Sequence, residues 1–111
     1  MSEALSIVNE QENRAYEAEI RRLEGELLLL ADQNASRKAA QCFRHAIEVA
    51  RHQQAKWWEL RATTSLARLL ASQGCRDEAR TMLAEIYGWF TEGFETADLK
   101  EAKQLLEQLV A

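Results

Sequence analysis

Proline is absent from this chain, glycine occurs four times, and β-branched residues are sparse. Their place is taken by Ala, Leu, Glu, Arg and Gln, which lose little side-chain freedom on entering a helix, so an all-α fold is expected. Long hydrophobic runs are missing as well. The most apolar stretch, Leu27 to Ala31, is far too short to cross a bilayer, and the N-terminus lacks the basic and apolar regions of a secretion signal. The expected location is therefore the cytoplasm. The two cysteines, Cys42 and Cys75, show no metal or redox spacing and read as free thiols in a reducing compartment. There is no excess of base. A net charge of −4 gives no long-range attraction to nucleic acid or to an anionic membrane, and neither is an expected partner.

What is present is an internal duplication. Tyr16-Glu17, Gly25 and Leu27-Leu28 lie over Trp58-Glu59, Ala67 and Leu69-Leu70, and Ala39, Phe43 and Ala46 lie over Ala79, Leu83 and Ile86. The offset is about 42 residues in the first half of the unit and about 40 in the second, so the first copy carries roughly two extra residues near Asn34-Ala35, where a loop absorbs them. A two-helix unit cannot bury its apolar face alone. Stacked copies share a core and expose a surface suited to binding.

Helices are predicted over about Asn13 to Asp32, Ser36 to Gln53, Lys56 to Gln73, Arg76 to Phe90, and from Thr96 onward. In the first, Ile20, Leu23, Leu27 and Leu30 form one stripe, taken as the packed face, with Tyr16 and Gly25 beside it. Gly25 in mid-helix costs roughly 1 kcal/mol relative to Ala, and a close helix approach is the expected compensation. Asn34 and Ser36 are the candidate N-caps of the second helix, Gly74 is a left-handed stop for the third, and Thr96 is the candidate N-cap of the last. Residues 1–35 are acidic and Arg37 to Lys56 is basic, which reads as neighbouring helices of opposite sign. The domain division is 1–10 as the tail of a preceding repeat, 13–53 and 55–90 as two repeats, and 96–110 as a capping helix. On that division the chain is expected to be a piece of a longer array.

The second copy, with Ala67, Leu70, Gly74, Ala79, Leu83 and Ile86, resembles the tetratricopeptide repeat. The first resembles it through Gly25, Leu28, Ala39, Phe43 and Ala46, with Asp32 in place of the turn glycine. Neither copy has the usual closing proline, and the period exceeds the usual one of about 34, which marks a long-helix variant. A narrower resemblance runs through Trp58-Glu59-Leu60-Arg61-Ala62, Tyr87-Gly88-Trp89-Phe90-Thr91-Glu92-Gly93-Phe94 and Thr96-Ala97-Asp98-Leu99-Lys100-Glu101-Ala102. These resemble the closing repeats of large bacterial regulators that join a cyclase or DNA-binding domain, an ATPase domain and a C-terminal repeat array.

The resemblance implies a right-handed solenoid of antiparallel helix pairs whose first helices line a concave face. The positions facing it would be Glu19, Arg22, Glu26 and Leu29 in the first copy, and Arg61, Thr64, Arg68 and Ala71 in the second. A mixed acidic, basic and apolar groove suits a peptide or protein segment better than a phosphate backbone. Trp89, Phe90 and Phe94 surround two glycines and are expected to plug the joint between the fourth helix and the last, the alternative being that with Trp57 they form a second contact group.

No catalytic constellation is present: neither histidine has a nucleophile and carboxylate in a recognisable arrangement, and there is no glycine-rich phosphate loop. The chain is expected to be non-catalytic and to need no cofactor. Cys42, His45, Glu48 and His52 are spaced to share part of a helix face and hold a metal, but Phe43, Ala46 and Ile47 claim the inward side, so the solvated-surface reading is preferred and no metal is assigned. The leading function is a protein- or peptide-binding module. A homodimer through the N-terminal end and Leu27 to Leu30, and a small metal-binding protein on His45 and His52, are the alternatives.

Overall fold

The computed structural model describes residues 10–110, with side chains described for residues 16–32 and 34–110. The expected tail of a preceding repeat falls almost wholly on residues 1–9, outside the described residues. Among the described residues there are five α-helices and one short 3₁₀ turn: α1 (Glu10–Ala31), the turn (Gln33–Ala35), α2 (Ser36–His52), α3 (Lys56–Ser72), α4 (Arg76–Trp89) and α5 (Ala97–Val110). They fill a slab of 47 × 37 × 21 Å, thin enough for two layers of helices of about 10 Å each.

Each helix packs on the next, and α3 also packs on α1 and α5. The central helix is accordingly enclosed, with ten of its 17 residues buried. The core runs through all five helices. Phe43, Leu60, Leu66, Leu83 and Leu99 are its largest fully buried apolar side chains.

The connections have identifiable causes. After α1, Asp32 turns extended and its carboxylate accepts from the Asn34 amide at 2.9 Å, which opens the 3₁₀ turn that absorbs the extra residues. Asp32 is therefore the capping side chain here. Neither Asn34 nor Ser36 caps α2, because the N-cap position is held by Ala35, which makes no side-chain cap bond. The α3–α4 joint is shorter and uses Gly74 at φ +87°, with the Cys75 amide donating to the Leu70 carbonyl at 2.8 Å. Thr96 does sit at the start of α5, but its hydroxyl donates back to the Gly93 carbonyl at 2.8 Å.

Close approach in the first pair is realised at Gly25. A Cβ built there would lie 2.6 Å from Cε1 of the buried Phe43 ring, so the missing side chain makes room for the ring.

The stripe expected to face inward on α1 faces outward instead. Leu23, Leu27 and Leu30 are 44%, 63% and 83% exposed, and Tyr16 is also exposed, while Ala18, Gly25, Leu28 and Leu29 turn toward the core. With 3.6 residues per turn, the two sets lie on opposite sides of the helix. Four consecutive leucines supplied both faces, and the periodicity alone did not say which one would find a neighbour.

Candidate functional site

The side chains of α1, α3 and α5 converge in a polar trough. Glu19 of α1 is its hub. It accepts two hydrogen bonds from Arg22, at 2.7 and 2.9 Å, and a third from Arg61 of α3 at 2.8 Å. Arg61 also donates Nε to both carboxylate oxygens of Asp98 on α5, at 3.2 Å each, and its guanidinium lies 5.5 Å from the ring centre of Trp58. Arg22 reaches across to the Ser65 hydroxyl at 3.3 Å, and Arg68 pairs with Glu101 of α5.

The hydrogen bonds that Arg22 donates to Glu19 raise its pKa above the ordinary value, against the opposing effect of burial. The guanidinium is fixed as a charged, oriented fork.

Two depressions follow from this framework. A small one of about 140 Å³ is lined by Arg22, Arg61 and Arg68, the hydroxyls of Thr64 and Ser65, and the carboxylates of Asp98 and Glu101. A larger one of about 530 Å³ continues from it through the shared Ser65 and Arg68, and adds Glu26, Leu29, Ser36, Leu69, Ser72 and Gln73. Together they offer guanidinium forks, hydroxyls and two leucines along one line. An extended peptide can be held by such a mixture, with its carboxylates competing for arginines that internal acids already pre-orient.

Seven of the eight residues expected on this face meet there: Arg22, Arg61, Thr64 and Arg68 in the smaller depression, Glu26 and Leu29 in the larger, and Glu19 in the ion-pair hub, whereas Ala71 lines neither depression and packs half-buried against the core. The acidic contribution of α5 was missed. Its Asp98 and Glu101 read as part of a solvated polar cap, because their partners Arg61 and Arg68 lie more than thirty residues away and leave no local signal.

The aromatic group assembles elsewhere. Phe90 is buried, with the Trp57 ring centre at 4.7 Å and that of Trp89 at 5.1 Å, and Tyr87 meets Phe94 at 5.7 Å. A Cβ built at Gly93, which is at φ +81°, would lie 3.4 Å from the Trp57 ring, so the group closes the joint between α4 and α5. Trp57, Trp89 and Phe94 remain partly exposed, with the Lys56 ammonium 5.5 Å from the Trp89 ring.

His45, Glu48 and His52 lie exposed on α2, and no cluster of three or more potential metal ligands occurs among the described residues. Cys42 is half-buried beside them. Its thiol pKa is raised, first by burial and then by Glu24, with Arg21 opposing, which leaves it a poor thiolate. No helix among the described residues is long and apolar enough to cross a membrane.

Compared with protein-family models, curated proteins and solved structures, the chain has no significant match.

Proposed function

We propose that the chain is a right-handed α-solenoid segment of antiparallel helix pairs, similar to a long-helix tetratricopeptide repeat, and that it acts without catalysis by holding a segment of another protein in the trough. The reading rests mainly on one observation. Three alternate helices contribute to a single line of side chains in which Arg22, Arg61 and Arg68 are already oriented by Glu19, Asp98 and Glu101. Pre-orientation lowers the ordering cost of binding. The repeat reading is further supported by equivalent core positions, with Ala39, Phe43 and Ala46 in the first pair and Ala79, Leu83 and Ile86 in the second all buried.

The ligand that fits is a short extended segment with an acidic side chain for the arginines and an apolar one for Leu29 and Leu69. In this reading the chain belongs to the repeat array of a bacterial signalling protein, and the cytoplasm is its setting.

Selection of a displayed random-peptide library on the full chain tests the proposal. Recovered peptides should carry an acidic residue and should lose about tenfold in affinity for an Arg22→Ala, Arg68→Ala variant. Enrichment of peptides that bind the variant equally well, or no enrichment at all, sinks the reading.

A further inference from the structure

The acids of the trough hold their arginines unequally. Glu19 is enclosed, its side chain 15% exposed against 19% for that of Arg22. It accepts from Arg22 and Arg61 together, so its departure would leave two part-buried guanidiniums without a partner carboxylate. Asp98 receives the Arg61 Nε on both carboxylate oxygens and stands in the first turn of α5, where the helix dipole favours an acid. Glu101 has neither support. It lies three residues further along α5, its side chain is 52% exposed, and it meets an Arg68 that is itself 50% exposed. Among the described residues this pair is joined by one hydrogen bond, from the Arg68 Nη2. An exposed pair of this kind holds its partners weakly and separates readily, which the Glu19 pairs do not.

The weakest pair also stands at the junction of the two depressions. Arg68 lines both, whereas Glu101 lines only the smaller. The larger depression offers Leu29 and Leu69 for apolar contact and Arg68 as its cation. An acidic side chain on a segment lying there is therefore drawn to Arg68, through the fork that Glu101 already engages. The incoming carboxylate either displaces Glu101 or lies beside a like charge. Both lower its affinity, and neither applies to a neutral amide.

We propose that Glu101 is an internal competitor for the trough: it pairs with Arg68 in the unbound chain, and the carboxylate of a bound segment takes its place. Glu101 is then the residue that sets affinity for acidic segments, while Glu19 and Asp98 stay in place and orient Arg22 and Arg61. The inference rests on the trough as the binding site.

Two acetylated and amidated heptapeptides serve as probes, Ala-Leu-Ala-Glu-Ala-Leu-Ala and its twin with Gln for Glu, whose larger side chains share one face when extended. Each is titrated into the full chain and followed by NMR chemical shifts. The glutamate peptide should bind Glu101→Gln about tenfold more tightly than wild type, and the glutamine twin should bind both alike. Adding Arg68→Ala should abolish the gain. Asp98→Asn removes the same charge nearby but leaves Arg68 paired, and should give less than about a third of the gain. Glu101 is exposed, and an unchanged helical melting curve checks that its variant folds. Equal binding of the glutamate peptide to wild type and Glu101→Gln overturns the proposal and leaves the trough reading standing. A gain that the glutamine twin shares, that Asp98→Asn matches or that survives Arg68→Ala overturns it as well, because the effect is then not exchange at Arg68. Binding of neither peptide to any form overturns both readings.

Discussion

Helices α1 and α3 occupy equivalent places in the two copies, and their apolar content is similar, yet one is enclosed and the other is open along one side. Leu69 is 7% exposed whereas Leu27, its counterpart, is 63% exposed. The difference comes from neighbours. Helix α3 has α1 and α2 before it and α4 and α5 after it, while α1 has described neighbours only after it. Residue types have adjusted to this. Where α1 covers α3, the second copy uses the small Ala62 and Ser65, and at the equivalent positions of α1 the first copy has the half-buried Ile20 and the exposed Leu23.

The largest expected effect separates these two leucines. Leu69→Ala removes a buried side chain from the middle of the core and should cost about 2–4 kcal/mol of unfolding free energy, read by chemical denaturation. Leu27→Ala should stay within about 0.5 kcal/mol in the isolated chain. Comparable losses at both positions would mean that the outer stripe of α1 is covered in solution, and the contrast between the two helices would be gone.

The next comparison concerns how each pair fits its helices together. The first pair combines Gly25 with Phe43, and the second has Ala67 and Leu83 at the same positions, so a larger side chain on one helix stands opposite a smaller one on the other. Gly25→Ala gains roughly 1 kcal/mol of helix propensity but drives a Cβ into a ring that has no free space, and the net result should be a loss of about 1–3 kcal/mol. Adding Phe43→Leu recreates the second copy's combination. The double variant should recover most of the loss, measured as a positive coupling in a double-mutant cycle. If the two changes simply add, the two pairs do not share one packing geometry.

Much of this architecture was legible in the sequence, and apart from the caps expected of Asn34 and Ser36 the misses share one cause. Helix limits, the extra residues after Asp32, the Gly74 stop and the inward positions Ala39, Phe43, Ala79 and Leu83 all follow from local chemistry or from a single amphipathic stripe. The seven trough residues were legible through the repeat resemblance and its spacing. Asp98 and Glu101 were not, because a polar helix face looks the same whether it meets water or arginines from α3. The orientation of α1 was illegible for a related reason. Tyr16, Leu23, Leu27 and Leu30 make as good a stripe as Ala18, Gly25, Leu28 and Leu29, and the choice between them depends on which side has a neighbour.

A smaller effect is expected where the copies share a defect. Position 21 in the first copy and position 63 in the second are 42 residues apart, and the Arg21 Nε and Thr63 hydroxyl are both buried without a hydrogen-bond partner. The adjacent Thr64 hydroxyl, by contrast, donates to the Leu60 carbonyl at 2.8 Å. Thr63→Val replaces an unsatisfied hydroxyl with a methyl of similar shape and should stabilise the chain by about 1 kcal/mol. Thr64→Val removes a satisfied bond and should destabilise by about the same amount, so thermal melts of the two single variants should shift in opposite directions.

The smallest effect compares two helix ends that share one hydrogen-bond pattern but differ in residue. At the end of α2 the Ala55 amide donates to the Ala50 carbonyl at 2.8 Å and the Gln54 amide to Arg51 at 3.0 Å. At the end of α3 the Cys75 amide donates to Leu70 at 2.8 Å and the Gly74 amide to Ala71 at 3.1 Å. Both require a left-handed residue, supplied by Gly74 at φ +87° and by Gln54 at φ +56°. A side chain in that conformation costs roughly 1 kcal/mol, while glycine carries extra entropy in the unfolded chain that offsets part of the relief. Gln54→Gly should therefore stabilise by only a few tenths of a kcal/mol, and Gly74→Ala should destabilise by about 1 kcal/mol, although a Cβ at Gly74 meets nothing within 4 Å. The empty space around Gly74 makes the second measurement informative: with no atom to clash against, any loss must come from the backbone, and an unaltered melting point would show that α3 does not end in the left-handed turn.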